Sequence, residues 1–574
     1  MTFRQTFFSI YHLLGPAQQK MGKKLLILSI LGVVMELFTL ASFLPLLFTI
    51  VQTETIFQNS ALATVYSYYG FSSLRTFLFV LIGLVAIFLV LRNLFNFFVT
   101  RLKTQFAFQV AHDLERKVLS QFLELSYLHY SKTDQAQELN RIANAPFFFS
   151  HNILLPLLNA VSESLILFSL LVSMAIYNVA AFAFVSIVIT PFLIYYRLKK
   201  QDLKKTSEAL DKNYTNHLKL VMQLTNGMPE IKVNQKEVFF TDEILNKNAD
   251  LGKSHTAFLT LQTSIQRITE ALAALGVCSL LVFCLIVEYP STKIILLLSI
   301  YGGVSFRIIP SINRIFSGLL QIKYYEPVLS NLADRQPSFP PVHHSTKSTA
   351  PITFAFNHQI MCSNVSFRYV EGEIALNNVT CAIKKGEKTI ITGPSGSGKT
   401  TLLHVMMGFL LPQGGEVKID EVVLTEATIQ EWRKKIGYVS QSPIILSASI
   451  AENIAFGEPH DRINFKKIED LMVRLKLDLF LKTIPYGIHS QVGDKGIRIS
   501  GGELQRIALA RALYRNPEIY FLDEVTNQLD ALSKEAILDI LEEERLLGKT
   551  IILITHDPTT YRFADQLLSI GNRG

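Results

Sequence analysis

The stretch GPSGSGKT, Gly393 to Thr400, packs three glycines, two serines, a lysine and a threonine into eight residues. It follows the apolar run KTIIT and precedes TLLHVMMGFL, so the spacing predicts a strand that turns through a glycine-rich loop into a helix. Such a loop wraps backbone amides around phosphates. Lys399 reaches the β/γ oxygens and the Thr400 hydroxyl supplies a ligand to Mg²⁺, with Gly393, Pro394, Ser395, Gly396, Ser397, Gly398 and Thr401 completing the cradle. Downstream, EIYFLDE is an apolar strand ending in two carboxylates. Asp523 is placed to hold Mg²⁺, and Glu524 to polarise an attacking water. The chemistry expected is hydrolysis of a nucleoside triphosphate.

The elements that must carry these residues fall into two halves with different solvents. Of 574 residues 49% are hydrophobic, and the mean hydropathy of +0.30 is too high for a soluble protein of this length. Apolar residues concentrate before about residue 325, whereas the remainder alternates as a soluble α/β domain does. Since about 20 apolar residues cross the hydrocarbon, six spans are expected near 25–51, 76–99, 152–177, 179–196, 268–288 and 293–318. The long polar stretches between the second and third spans and between the fourth and fifth read as helices continuing beyond the bilayer. A Pro/Ser/His linker is expected over 325–351, which gives a membrane domain over 1–324 and a nucleotide domain over 352–574.

Lys and Arg fix the orientation. The leader holds Arg4, Lys20, Lys23 and Lys24, and RLKKQDLKK follows the fourth span, so the N-terminus, the long loops and the nucleotide domain are expected to be cytoplasmic. The net charge of +8 is then the charge of cytoplasmic loops, and no nucleic-acid partner is expected. Cys278, Cys284, Cys362 and Cys381 show no metal spacing, and no cleaved signal is expected at the N-terminus.

Between the phosphate loop and the Asp-Glu pair lies ISGGELQRIALARAL, which resembles the signature of ATP-binding cassette proteins. The chain as a whole resembles an exporter half-transporter of that family, with an α-helical membrane domain of six long helices, the type IV exporter fold, fused to an α/β P-loop NTPase cassette. The resemblance implies that Tyr369 in VSFRY stacks on adenine, that Gln441 in GYVSQ joins Mg²⁺ and ATP, and that His556 in LITHD acts with Glu524 in catalysis. It also implies that Ser500, Gly501, Gly502 and Glu503 bind ATP held by an opposite cassette and that Asp530 closes the D-loop. Serine and two glycines opening a helix suit an anion on physical grounds as well. Glu503, which stands where glutamine is commoner, is not expected to aim at phosphate. TNQLD replaces the usual TSALD, and SQVGDKG precedes the signature as in exporters. Cofactors implied are ATP and Mg²⁺, the partner a second copy of the chain, and the location a bacterial inner membrane. The stretches 127–144 and 220–237 match the places where coupling helices touch the cassette.

For the cargo the leads are charges in or beside the spans: Glu36, Arg92, Glu163, Arg307 and Arg314. Each costs about 2.5–3.5 kcal/mol at the middle of a span. Either they pair, with Arg314 reaching the inner interface, or Glu36, Arg92, Arg307 and Arg314 line a cavity whose guanidinium groups take an anionic headgroup. MELFTLASFLPLLF, LRNLFNFF and FRIIPSINRI resemble lipid-linked oligosaccharide flippases of bacterial protein N-glycosylation. That implies outward movement of a polyprenyl-phosphate saccharide, and TETIFQNSALATVYSYYGFSS would be a short external helix engaging its tail. A multidrug or lipid A-type exporter is the alternative, kept open by forty phenylalanines. A peptide exporter ranks lower, since no protease domain precedes the first span, and a soluble cassette ATPase ranks last.

Overall fold

The computed structural model describes residues 3–51, 64, 66–69, 71, 73–177, 179–333, 355–370, 373–493, 496–497, 499–526 and 529–571. It divides into a helical unit and an α/β unit, and Leu125–Lys132, which interrupts the helical unit in sequence, groups with the α/β unit.

The helical unit begins with α1 (Phe3–Leu13), α2 (Pro16–Val51) and α3 (Leu74–Leu123). Ser73 starts α3 by accepting the amide of Thr76 on its side chain at 3.2 Å. After α4 (Tyr127–Lys132), the third long helix is assembled from α5 (Gln135–Leu139), α6 (Ala145–Phe149) and α7 (Leu155–Tyr177), joined by π-helical turns at Asn140–Asn144 and Ser150–Leu154. Proline explains the turns. Pro146 and Pro156 bring no N–H, so the carbonyls four residues earlier lose their partners and the helix widens just upstream. Asn152, in the second wide turn, accepts from the amide of Gln321 at 2.9 Å.

The unit continues with α8 (Val179–Asn226), α9 (Met228–Val233), α10 (Glu237–Ile286), α11 (Ser291–Tyr324) and α12 (Pro327–Ala333). The expected segments lie along these helices, except that 268–288 runs two residues past the end of α10 at Ile286. Among the described residues Pro16–Phe43, Leu74–Leu123, Gln135–Ile176 and Glu237–Ile286 are long and apolar enough to cross a membrane. The side chains of 179–189, like most of the expected external segment 53–73, lie outside the described residues. Gly318 lets α11 press against α7, where a Cβ would stand 3.2 Å from the Pro156 carbonyl oxygen. The expected linker needs a correction at its start. Residues 327–333 are helical, and Val328, Leu329 and Leu332 are buried in the same cluster as Leu114 and Phe149, because these apolar side chains complete the helical core. Residues 334–354 lie outside the described residues.

The α/β unit has two sheets. β1 (Gln359–Val370), β2 (Glu373–Lys384), β4 (Gly414–Ile419) and β5 (Val422–Val423) form an antiparallel sheet in the order β2-β1-β4-β5. β3 (Lys388–Thr392), β6 (Ile436–Val439), β7 (Ile519–Asp523), β8 (Thr550–Ile554) and β9 (Gln566–Ser569) form a parallel sheet in the order β6-β7-β8-β3-β9. β7 and β8 are buried along their whole length, as near-continuous apolar runs in a two-sided parallel sheet must be. The helices that matter for the site are α13 (Lys399–Met406), α14 (Ile429–Lys434), α15 (Ile450–Ala455), α16 (Phe465–Arg474), α17 (Asp478–Thr483), α18 (Gly501–Tyr514) and α19 (Ala531–Leu546).

Candidate functional site

Parallel sheets gather function at the carboxyl ends of their strands, and here four neighbouring strands deliver it together. β3 ends at Thr392 and runs into the phosphate loop. β7 ends at Asp523 with Glu524 next, β8 ends two residues before His556, and β6 ends two residues before Gln441.

The loop geometry requires glycine at two places. Gly398 has φ +95°, and a Cβ on it would stand 2.4 Å from the Ala375 carbonyl oxygen of β2; Gly393 has φ +148°, and its Cβ would meet the Ile570 oxygen at 2.4 Å. Lys399, first residue of α13, folds back so that its Nζ donates to the carbonyls of Gly393 at 3.0 Å and Pro394 at 2.9 Å. Burial pulls its ammonium pKa down, and the carboxylates of Glu524 and Asp523 partly restore it. Thr400 shares a hydrogen bond with Asp523, whose own pKa is raised by burial and by the neighbouring Glu524. A threonine hydroxyl, one carboxylate and the amide oxygen of Gln441 are hard oxygen donors of the kind Mg²⁺ takes alongside substrate phosphates. The residues present therefore fit that ion.

Glu524 is held in a strained backbone state. Its φ is +54°, a left-handed conformation that few non-glycine residues adopt, and its N–H donates to the Ile554 oxygen of β8 at 3.0 Å. That turn presents its carboxylate to two partners: Gln441 Nε2 donates to Oε2 at 2.9 Å, and His556 Nε2 lies 3.3 Å from Oε1. Lys534 and Asp557 form an ion pair beside the histidine, and Asp557 accepts from the Thr559 amide at 2.8 Å. A water between Glu524 and a phosphate held by the loop would meet a base already oriented from both sides. Tyr369 reaches the same region, its hydroxyl 3.3 Å from Thr401 Oγ1.

Ser500–Glu503 and Asp530 do something else locally. Ser500 caps α18 by accepting the Glu503 amide at 3.3 Å, while the Glu503 carboxylate accepts the Ser500 amide at 2.8 Å, a reciprocal capping box. The Glu503 carboxylate is thereby turned onto its own helix, in keeping with the expectation that it does not aim at phosphate. Asp530 caps α19 by accepting from Ser533 at 3.2 Å, and that contact holds its carboxyl below the usual range. Among the described residues no hydrogen bond joins 500–503 to the phosphate loop. Asn527, Gln528, Asp494 and Lys495 lie outside the described residues.

Gln505 and Tyr127 carry contacts that no motif announced. Gln505 Nε2 on α18 donates to the Gln441 carbonyl at 2.9 Å, tying the signature helix to the loop that touches Glu524. Tyr127 of α4 stacks on Phe409 at 5.4 Å and meets His404 edge-on at 4.8 Å. His404 belongs to α13, the helix that Lys399 begins, and burial lowers its pKa to about 4. The aromatic at the head of the expected first coupling stretch thus rests on the phosphate-loop helix. In the expected second stretch Ile231 is buried, but Met228 and Val233 are exposed, as are Val238 and Phe239 just beyond it.

The charged residues of the spans make a separate cluster within the helical unit. Glu36 of α2 lies 3.1 Å from Arg92 of α3 and 2.7 Å from Arg307 of α11. Glu163 of α7 lies 3.4 Å from Arg307 and 2.8 Å from Arg314, and it accepts from Ser311 at 2.8 Å. Of the two expectations the contacts follow the pairing one, with three guanidinium groups around two carboxylates, because isolated charges among these helices would be far costlier. Nearby, buried Lys103 donates to Ser162 at 2.6 Å, a cation whose place beside Glu163 the one-dimensional pattern did not signal. Arg314 keeps about half of its side chain (52%) exposed, against 3% for Glu36.

Comparison with solved structures gives a match to a bacterial Atm1-family ABC exporter with ATP bound, at a TM-score of 0.76 and 17% identity, covering 96% of this chain and 93% of that one. The fold is that of an ABC exporter. Residues 376–527 match the family model described as ABC transporter, a range that holds the phosphate loop, the signature and the Asp523–Glu524 pair of this exporter fold. Among curated relatives, an ATP-dependent lipid A-core flippase of Cupriavidus metallidurans is 34% identical over 211 residues, 36% of this chain and 35% of the relative. ABC transporter B family member 21 of Arabidopsis thaliana is 32% identical over 311 residues, 52% of this chain and 23% of the relative. The alignments with the first curated relatives thus span about a third of their length.

Proposed function

We propose that this protein hydrolyses ATP with Mg²⁺ and uses the energy to move an amphipathic anionic lipid outward across a bacterial inner membrane, its nucleotide domain on the cytoplasmic side. The observation that carries the hydrolytic part is the Gln441–Glu524–His556 set of contacts standing over the phosphate loop at the ends of four adjacent strands. Glu524 is the base, His556 its orienting partner, and Lys399 and the loop amides the phosphate clamp. Two copies complete the ATP sites, with Ser500, Gly501 and Gly502 of each facing the phosphate loop of the other. Intact loop, base and signature residues in one chain support a homodimer, and the exposed Val233, Val238 and Phe239 offer apolar surface for it.

For the cargo, the cluster supplies the argument. Three guanidinium groups and the neighbouring Lys103 against two carboxylates leave a formal positive excess, and half-exposed Arg314 can reach a phosphate while still held by Glu163. A polyprenyl-phosphate oligosaccharide is the reading we favour. A lipid A-type headgroup carries the same anionic chemistry, and the lipid A-core flippases among the relatives favour that second reading.

ATPase stimulation in proteoliposomes separates them. Phosphorylated polyprenyl lipids should stimulate hydrolysis, and Arg314→Gln should remove the stimulation while sparing the basal rate. Stimulation by lipid A alone would decide for the second reading. Stimulation by hydrophobic cationic drugs, with none by either anionic lipid, would sink both.

A further inference from the structure

Cys362 and Cys381 stand directly opposite each other on β1 and β2. Directly paired residues on an antiparallel ladder project to the same face, and both thiols are buried in one apolar cluster with Phe367 and Leu376. The frame of the pair follows from the ladder. The His358 carbonyl accepts the Lys385 amide at 2.7 Å, and the register runs on unbroken through Gln359↔Lys384, Ile360↔Ile383 and Met361↔Ala382 to Cys362↔Cys381. Alternation therefore makes Cys362 and Cys381 a hydrogen-bonded pair, for which the Cα atoms lie about 5.5 Å apart. That separation is within the range of about 4.4–6.8 Å that a disulfide spans. Both cysteines are free.

We propose that Cys362 and Cys381 are a redox modification site of the nucleotide domain, a dithiol that peroxide closes into a disulfide and that thiol reductants reopen. Cys381 is the attacking group. It lies on β2, the edge strand of its sheet, and is slightly exposed, whereas Cys362 on the interior strand β1 is fully covered. The neighbouring Cys362 thiol also draws the Cys381 pKa below that of an ordinary thiol, while its own is raised.

The Cys381 thiolate attacks one peroxide oxygen, the O–O bond breaks, and hydroxide leaves with a sulfenic acid formed on Cys381. The sulfur of Cys362 then attacks the sulfenic sulfur. An S–S bond forms, the S–O bond breaks, and the hydroxyl takes the Cys362 proton to leave as water. Each sulfur gives up one electron, and peroxide is reduced to two waters once the hydroxide takes up the proton that Cys381 released. Side chains diverge more in a hydrogen-bonded pair than in its alternative, so the bridge is strained and readily reduced.

The bridge would stiffen the hairpin that flanks the nucleotide. β1 carries Tyr369, whose hydroxyl meets Thr401, and β2 presents the Ala375 carbonyl against Gly398 of the phosphate loop. This consequence rests on the ATP-site reading, whereas the thiol chemistry does not.

The test uses the full-length protein carrying Cys278→Ser and Cys284→Ser, in detergent, treated with hydrogen peroxide, acid-quenched, denatured and alkylated. Mass spectrometry should show the peptides of Cys362 and Cys381 joined, two hydrogens lighter, and separated again by dithiothreitol. ATP affinity measured in parallel should shift by at least about fivefold on oxidation and stay put in Cys362→Ser or, should that variant misfold, in Cys381→Ser. Free alkylation of both residues after oxidation, or a sulfinic acid on one with no linkage, overturns the proposal. Linkage with unchanged ATP affinity overturns its regulatory half. A protein that binds no ATP in either state would sink the function reading instead, because the linkage is read by mass alone.

Discussion

The phosphate-loop site and the ion cluster of the membrane helices both concentrate charge, but they hold it by opposite means. At the loop, backbone conformation does the holding: glycines at positive φ, a strained Glu524 and strand ends leave Lys399 and Glu524 poised for an incoming group. In the helices, side chains satisfy one another, so Glu36 serves two arginines and Glu163 two. Water explains the contrast. Gln441, Thr400 and His556 are exposed to solvent, which screens a charge that waits for a ligand, whereas a charge among apolar helices must find its counter-ion within the fold.

That comparison can be broken by substitution. The largest effect is expected for Glu524→Gln, which keeps the shape of the site and removes the carboxylate proposed as the base. Turnover should fall by about 10²–10⁴-fold with ATP binding retained, measured as steady-state hydrolysis beside nucleotide binding. Normal turnover would show that the strained carboxylate is not the base.

In the membrane cluster the cost should appear as stability instead. Glu36→Ala strands Arg92 and leaves Arg307 to Glu163 alone, and should cost about 3–5 kcal/mol, whereas Arg314→Ala, on a half-exposed side chain, should cost no more than about 1 kcal/mol. Unfolding of both variants in the same detergent checks the ratio. Equal losses would mean that Glu36 is not the keystone that its two contacts imply.

His404 offers a pH test of the packing under the loop helix. Its folded pKa of about 4 lies below the ordinary value of 6.5, so the unfolded chain takes up the proton first as pH falls. The stability due to keeping it neutral is complete above about pH 6.5, is lost between there and about pH 4, and changes no further below. Unfolding temperature followed across that window should fall less steeply in His404→Phe. An unchanged slope would place the acid sensitivity elsewhere.

The smallest effect concerns the signature helix. Glu503→Ala should lose about 1 kcal/mol through the broken capping box, and Glu503→Gln much less, because either side chain can accept at that position. A loss of ATP affinity in the glutamine variant without a loss of stability would return Glu503 to the nucleotide.

Much of this was legible in the chain because the phosphate loop is local: its glycines, lysine and threonine occupy eight consecutive residues, and flanking apolar runs declare a strand before and a helix after. The long apolar helices are legible for the same reason, since length and apolarity are properties of a segment; four of them among the described residues are long and apolar enough to cross a membrane. The cap formed by Glu503 is legible too, because Ser followed three residues later by Glu is the local pattern of a capping box. What escaped were long-range contacts. Tyr127 and His404 are 277 positions apart in sequence, and no periodicity links Lys103 to Ser162 or Ser311 to Glu163.

By itself, the sequence determined which groups are present and which solvent each half must meet: a phosphate loop, a carboxylate pair at a strand end, long apolar helices and five charges among them. Only the tertiary structure decided how they pair. The order β6-β7-β8-β3 sets Gln441, Glu524 and His556 side by side although they are spread over more than a hundred residues, because parallel strands joined by crossovers can neighbour one another in any chain order. Likewise, the helix packing decided which carboxylate each arginine meets, Arg307 with Glu36 and Arg314 with Glu163, since an unpaired charge in that environment costs more than the ordering of its side chain.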